Sequence, residues 1–168
     1  MLQVDFSYGD YTFKSIRSCD VKKVASWIKD NMDKNDSCYS LDGDIFYRRF
    51  LEYYMADDEC FIEIYKNNEI VAVFKGRLEK THDNQLVIWF FIMDKLKRNE
   101  GIGSAIIEII VQYFKKVHNI NSIQVGVVEN NMEGISFWNS MGFDVSRISK
   151  NFFDGYEEKS RNLVIMKK

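Results

Sequence analysis

The sequence predicts an α/β domain built on a mixed, largely antiparallel sheet. Segments in which apolar residues alternate are interleaved with segments of helical period, and the strands in the middle of the chain follow one another directly. The chain contains no proline, and we find no internal repeat or low-complexity linker that divides it. Its 168 residues are enough for one domain with a substantial core. Residues 1–168 are therefore interpreted as a single domain.

The first half of the chain predicts a strand, two helices and a hairpin. YTFKSIRS, residues 11–18, alternates as a strand, and Asp20 suits the N-cap of the helix that follows. Apolar residues recur at helical spacing again in Asp44–Met55. CFIEIY and IVAVFKGRLE predict the two strands of a hairpin, whose Asn67-Asn68 turn suits the positive φ of a tight connection.

The second half predicts a buried strand, a long amphipathic helix and a strand–helix–hairpin ending. QLVIWFFIM, residues 85–93, is apolar throughout, which is typical of a strand buried on both faces. A helix from about Gly101 to Val117 places most of its isoleucines on one stripe. SIQVGVV predicts a strand, NNMEGISFWNSMG a helix, and FDVSRIS with RNLVIMKK a final strand pair. The whole chain therefore predicts about seven strands and four helices.

Charge and composition exclude several classes of function. The net charge of −2 provides no global basic field for nucleic acid or an anionic membrane. No apolar run approaches the roughly 20 residues of a membrane span, and the first residues do not resemble a signal peptide. The isolated Cys19, Cys38, Cys60, His82 and His118 lack the spacing of metal ligands or of a disulfide framework. We expect a cytoplasmic protein without a metal, nucleic-acid partner or membrane partner.

The turn KRNEGIGSA, residues 97–105, has the composition of an anion site. A strand, a glycine-rich turn and a helix start place unsatisfied amides where phosphate can approach them. The P-loop motif is excluded because no Gly-Lys-Ser/Thr closes the turn. The Rossmann fingerprint is excluded because its third glycine is Ile106 here. A purely structural turn is the alternative interpretation.

The turn resembles a motif of the GNAT acetyltransferases, Arg/Gln-x-x-Gly-x-Gly/Ala, which residues 98–103 match at each defined position. A second segment, NMEGISFWNSMGF at residues 131–143, is similar to the family's Asn-x-x-Ala-x-x-Phe/Leu-Tyr-x-x-x-Gly-Phe stretch. Gly134 stands where the family usually has alanine. The two motifs lie about thirty residues apart, and the resemblance extends from the strand at Tyr11 to the final VIMKK.

The resemblance implies the GNAT fold, with a splay between the fourth and fifth strands, and acetyl-CoA as cosubstrate. Backbone amides of the turn would wrap the pyrophosphate, and the strand before it would pair with the pantetheine arm. Lys97 and Arg98 would supply nearby positive charge. The residues expected to contact acetyl-CoA are Phe91, Ile92, Met93, Arg98, Asn99, Glu100, Gly101, Ile102, Gly103, Ser104, Asn131, Phe137 and Trp138.

The implied reaction moves an acetyl group to a primary amine of a small molecule or peptide, by direct attack in a ternary complex. A backbone N–H near Met93 would stabilise the oxyanion. The family's frequent tyrosine acid falls at Trp138, whose indole N–H is not a usable proton source. Glu129 is the base candidate, with a plain surface carboxylate as the alternative, and Tyr156 is a weaker acid candidate.

The acceptor side is expected to be aromatic, while the oligomeric state and an alternative function stay open. In this fold the first helices and the last strand loop line the acceptor side. The aromatic residues that these segments carry are Trp27, Tyr39, Tyr47, Tyr53, Tyr54, Phe152, Phe153 and Tyr156. The protein is expected to be a monomer or homodimer. Because Trp138 replaces the acid, the alternative function is a catalytically quiet acyl-CoA-binding module or protein-interaction domain.

Overall fold

The computed structural model describes residues 1–32, 47, 50–52, 54–80, 84–152 and 162–168. The strands in these ranges are β1 (Phe6–Tyr8), β2 (Tyr11–Ser15), β3 (Glu59–Lys66), β4 (Glu69–Glu79), β5 (Gln85–Met93), β6 (Ser122–Val128), β7 (Asp144–Ser149) and β8 (Leu163–Lys167). The helices are α1 (Val21–Asn31), α2 (Ile102–His118) and α3 (Met132–Ser140), with a 3-10 turn at Lys95–Lys97. Residues 47, 50–52 and 54, inside the predicted second helix, are also helical.

The eight described strands form one sheet in the order β1-β2-β3-β4-β5-β6-β8-β7. β5 and β6 are parallel and the other neighbours are antiparallel, which confirms the mixed sheet. The prediction of about seven strands omitted β1, because three residues are too few to show a period. With β1 counted, the strands on either side of the splay are the fifth and sixth. The Asn67-Asn68 turn has φ of 52° and 66°, as predicted.

The core lies on both faces of the sheet. On one face, α2 packs Ile106, Ile110 and Phe114 against strand residues such as Phe74 and Ile88. On the other face, α1 packs a smaller cluster that includes Val24, Ile28, Phe61 and Val73. Because each strand alternates its side chains between the faces, both clusters draw on the same central strands.

The prediction that β5 is buried on both faces is wrong for its second half. Leu86, Val87 and Ile88 are buried, but the Trp89 side chain is 38 % exposed and residues 90–93 are partly exposed. The apolar run therefore has two roles along its length. Its first half is core, and its second half lines an open cleft.

A row of buried polar residues lies on the α1 side of β3 and β4. Glu59 and Lys75 are buried and form an ion pair of 3.3 Å, and Glu63 is 4 % exposed. Burial is the main cause that raises the pKa of the Glu63 carboxyl, and a hydrogen bond from Tyr65 opposes that shift. Since the pKa is higher in the native state than in the unfolded state, this residue favours folding at low pH. That contribution is lost as the pH rises through the native pKa.

We therefore expect Glu63→Gln to stabilise the protein at pH 7 and to change its stability little near pH 3.5. The unfolded pKa of a glutamate is about 4.3, so at the lower pH both states of the wild type are protonated. Urea denaturation at the two pH values measures the difference. Glu108→Gln, an exposed carboxylate on α2, is the control and should show no such pH dependence. Equal stabilisation by Glu63→Gln at both pH values would contradict the prediction.

Candidate active site

The cleft opens where β5 and β6 part. The two strands pair only from Gln85 opposite Ser122 to Ile88 opposite Val125. Beyond that point β5 stays with β4 as far as Met93, whereas β6 stays with β8. The resulting cavity has a volume of about 550 Å³ and includes residues of both strands, of the turn before α2 and of α3. None of the described strands pairs with the side of residues 89–93 that faces β6, and a peptide-like arm can pair with it there.

The turn before α2 presents bare amides to this cleft. Gly101 is the N-cap of α2 with φ of 75°, and no side chain caps the helix. Asn99 also has positive φ, 64°, so the backbone turns tightly twice within three residues. Successive amides in such a turn, together with an uncapped helix start, form an anion-binding concavity.

Gly103 keeps the space beside the turn open. A Cβ built at this position would lie 3.5 Å from the Phe137 ring, 3.6 Å from the Phe91 ring and 3.7 Å from Met93. Those are ordinary contact distances, so an alanine fits, but any longer side chain would occupy the cleft. This geometry agrees with the Gly/Ala choice of the motif.

The two cations of the turn are bonded to other parts of the protein. Lys97 forms an ion pair of 2.7 Å with Glu69, which raises the pKa of Lys97 and lowers that of Glu69. The Arg98 guanidinium donates to the Asn31 carbonyl at 2.7 Å and to the Met93 carbonyl at 3.4 Å. Arg98 therefore ties the turn to the end of α1 and to the end of β5.

Most residues predicted to contact acetyl-CoA line this one cleft. The structure brings together Phe91, Ile92, Met93, Arg98, Asn99, Gly101, Gly103, Ser104, Asn131, Phe137 and Trp138. Glu100 is exposed on the turn outside the lining, and Ile102 packs against the core instead. Residues from β5, the turn and α3 therefore converge, although more than forty positions separate the first from the last.

The second motif forms α3, and its residues serve mainly to cap and pack. The Asn131 side chain accepts a hydrogen bond of 2.7 Å from the Gly134 amide, as an N-cap does. Trp138 is only 5 % exposed, and its ring lies 5.0 Å from that of Phe143 and 5.1 Å from that of Phe137. The indole is thus mostly enclosed by aromatic neighbours where it borders the cleft.

Glu129 lies just beyond the end of β6, exposed and outside the cleft lining. Its carboxylate accepts a hydrogen bond of 2.7 Å from the Asn162 side chain. Among the described residues, the carboxylates that line the cleft are instead Glu79 and Glu133. Tyr156, the weaker acid candidate, lies outside the described residues.

The predicted aromatic acceptor side is only partly assembled by the described residues. Phe152 lines the cleft, whereas Trp27 packs against the smaller core cluster. Tyr47 and Tyr54 are exposed. The others, Tyr39, Tyr53, Phe153 and Tyr156, lie outside the described residues.

A β-bulge places the Trp89 ring in the cleft wall, a position that the sequence did not predict for it. Lys75 pairs with Phe90 and Gly76 with Ile88, so Trp89 is an extra residue in β5. The Lys75 Nζ, held by Glu59, lies 5.6 Å from the centre of the Trp89 ring. A buried ion pair therefore supports an exposed indole in the cleft wall.

Most of the cleft wall on the face away from α2 and α3 was not predicted from the sequence. That wall includes Val87, Gln124, Gly126, Arg147, Leu163 and Ile165. One signal was present, since Gln124 and Gly126 alternate with buried valines in β6 and mark a polar, open face. Arg147 and Leu163 had no such signal, because only the pairing of distant strands brings them to the cleft.

No thiol lines the described part of the cleft, and the described residues contain no group of three or more His, Cys, Asp or Glu side chains that could hold a metal ion. Cys60 is buried in the core, where burial raises the pKa of its thiol to about 12, and Cys19 is exposed elsewhere. Cys38 and His82 lie outside the described residues. Within those same ranges, no helix combines the length and apolar character that crossing a membrane requires.

Comparison with known proteins identifies the fold. The family model described as an acetyltransferase (GNAT) domain matches residues 13–159. No curated protein sequence matches the chain significantly.

Solved structures of several N-acetyltransferases superpose on nearly the whole chain. The ribosomal-protein-S18-alanine N-acetyltransferase from Escherichia coli aligns with a TM-score of 0.70 at 16 % identity, over 94 % of this chain and 92 % of its own. The ribosomal-protein-S5-alanine acetyltransferase from Vibrio fischeri aligns at 0.72 and 14 %, over 98 % and 96 %. A mutant spermidine N-acetyltransferase from Vibrio cholerae aligns at 0.76 and 12 %, over 96 % and 94 %. At these identities the likeness establishes the fold.

Proposed function

The chain belongs to the GNAT acetyltransferase family, and on that premise we propose that it transfers the acetyl group of acetyl-CoA to a primary amine of a small molecule or peptide. The observation that carries the proposal is the parting of β5 and β6 beside the uncapped start of α2. These features offer a strand edge for an amide-bearing arm and an amide nest for a diphosphate in one continuous cleft.

The residues at the cleft suit acetyl-CoA. The backbone from Asn99 to Ser104 would hold the pyrophosphate, because its amides include those of the helix start. The free edge of residues 89–93 would pair with the pantetheine arm, whose amides resemble a peptide. The rings of Phe91 and Phe137, stacked with centres 6.2 Å apart, would border the arm near Gly103.

Direct transfer between the two substrates fits the chemistry of the cleft. Acetyl-CoA supplies a thioester whose carbonyl carbon bonds to the amine nitrogen while the carbon–sulfur bond breaks. Because no thiol lines the described part of the cleft, an acyl-cysteine step has no nucleophile there. The amine must first lose a proton, since its pKa of about 10.4 keeps it protonated at neutral pH.

Proton transfer is the step for which the family pattern is incomplete here. Glu129 remains the proposed base, and a water would have to bridge to it because its carboxylate lies outside the cleft lining. Trp138 offers no acid, so we propose that the thiolate takes its proton from water or leaves as the anion. The similar structures bear the names of enzymes that acetylate an alanine of ribosomal proteins or spermidine, which supports an amine acceptor.

The test is transfer itself. The full-length protein is incubated with acetyl-CoA and a panel of primary amines, free thiol is titrated, and products are identified by mass. We expect amine-dependent thiol release together with a product heavier by one acetyl group. Complete absence of thiol release across the panel would contradict the proposal.

The second candidate, a catalytically quiet acyl-CoA-binding domain, is favoured by the enclosed Trp138 and by the position of Glu129. Calorimetric titration with CoA, read together with the turnover assay, distinguishes the two functions. Tight CoA binding without turnover, unchanged by Glu129→Gln, would favour the binding domain. Turnover that falls in Glu129→Gln while CoA affinity stays constant would favour the enzyme and its proposed base.

A further inference from the structure

The cleft wall away from α2 and α3 carries a cation that the proposed reaction does not use. Arg147 lies on β7, is exposed and lines the cleft. No described residue forms a hydrogen bond or ion pair with its guanidinium. By contrast, Arg98, the other arginine of the lining, is bonded to two backbone carbonyls.

A β-bulge places Arg147 on that wall. Val145 pairs with Met166, which is buried in the core under α2, and Arg147 pairs with Ile165, which lines the cleft. Ser146 is the extra residue between these pairs. In a regular ladder Ser146 would pair with Ile165 instead, and Arg147 would lie on the same face of the sheet as Val145, away from this wall.

The pairing register of β6, β8 and β7 places Arg147 close to the point where β5 and β6 part. Gly126 of β6 pairs with Ile165 of β8, which in turn pairs with Arg147 of β7. The Cα atoms of Gly126 and Arg147 are therefore two strand spacings apart, about 10 Å. Gly126 is the first β6 residue beyond the last β5–β6 pair, so Arg147 lies within one small molecule's length of the splay.

Apolar side chains line the cleft on both sides of the opening near this cation. Trp89 and Phe90 lie on the β5 side of the opening, and Leu163 and Ile165 lie on the β8 side. The two carboxylates of the described lining lie elsewhere. Glu79 pairs with Gln85, four residues before the splay, and Glu133 is in the first turn of α3.

We propose that Arg147 binds a carboxylate of the acceptor, so that the substrate is a primary amine with an apolar body and an acidic group. This inference rests on the proposed function and names the substrate class for the same cleft. Arginine presents a planar fork of donors that matches a carboxylate, and the guanidinium of Arg147 is accessible to a ligand in the cleft. The apolar wall would contact the body of the acceptor while its amine approaches the splay.

The experiment compares two acceptors that differ only in charge, 4-(aminomethyl)benzoate and 4-(aminomethyl)benzamide. We expect the wild type to prefer the benzoate by at least about tenfold in kcat/KM, since a charge-assisted hydrogen bond contributes that much. Arg147→Gln should reduce the preference to near one, and Arg147→Lys should retain part of it. Lys167→Gln, an exposed cation on β8 that does not line the cleft, is the matched control and should keep the wild-type ratio.

A binding measurement tests the carboxylate site without depending on acetyl transfer. In the presence of CoA, the affinities of 4-methylbenzoate and 4-methylbenzamide, which lack the amine, are measured by calorimetry for wild type and Arg147→Gln. Selective binding of the benzoate that disappears in the variant supports the inference even if no amine is acetylated. Equal affinities in the wild type, or selectivity that survives Arg147→Gln, would overturn it whether or not acetyl transfer occurs.

Discussion

Gly103→Glu is expected to weaken CoA binding by about 100-fold or more relative to Gly103→Gln. Both side chains have the same size and start from a Cβ that would face the cleft, within contact distance of Phe91 and Phe137. Only glutamate brings a negative charge toward the amides proposed to hold the pyrophosphate. Two like charges about 4 Å apart near a protein surface repel by up to about 4 kcal/mol, enough for this loss.

Calorimetric titration with CoA gives the two affinities, and thermal melting checks that both variants fold. Gly103→Ala is the size control, and its affinity should stay close to the wild type because the added methyl group meets its neighbours at ordinary distances. If Gly103→Glu bound CoA as well as Gly103→Gln does, the pyrophosphate would lie somewhere other than at this turn.

Trp138→Ala is expected to lower the free energy of unfolding by about 3–5 kcal/mol. The indole is almost fully buried and contacts the rings of Phe143 and Phe137, so its removal leaves a large cavity in the core. Urea denaturation measures the loss. Trp89→Ala, which removes the same side chain from a half-exposed position, is the matched control and should be less destabilising.

Trp138→Phe separates packing from chemistry at the same position. It keeps most of the ring contacts and removes the N–H, so it should retain turnover and the pH dependence of kcat. Loss of turnover in a stably folded Trp138→Phe variant would show that the indole N–H acts in the reaction, contrary to its assignment as packing.

Local patterns predicted the structural elements on the side of the cleft that the turn, α2 and α3 form. The glycine turn, the amphipathic α2 and the Asn131 cap each depend on residues close in sequence, and all three are present. The apolar run of β5 was harder to interpret. Composition does not show where a strand loses its neighbour, so the exposure of Trp89 was not predicted.

The opposite wall of the cleft, like the anchoring of the turn, depends on contacts between distant parts of the chain. Two bulges, at Trp89 and Ser146, decide which side chains face the cleft, and each is defined only by the register of its strand against a partner. The hydrogen bond from Arg98 to Asn31 spans 67 positions and follows no local rule. Such features arise from tertiary pairing and leave little trace in a single sequence.

The motif allows arginine or glutamine at position 98, and the bonds of Arg98 to the main chain are of a kind that either residue can form. Two of the groups that receive its N–H donors are backbone carbonyls, those of Asn31 and Met93, which carry no net charge. A glutamine amide also presents two N–H donors and is neutral. Donation to main-chain carbonyls is therefore a feature that both residues can share, and in this chain it fastens the turn to the ends of α1 and β5.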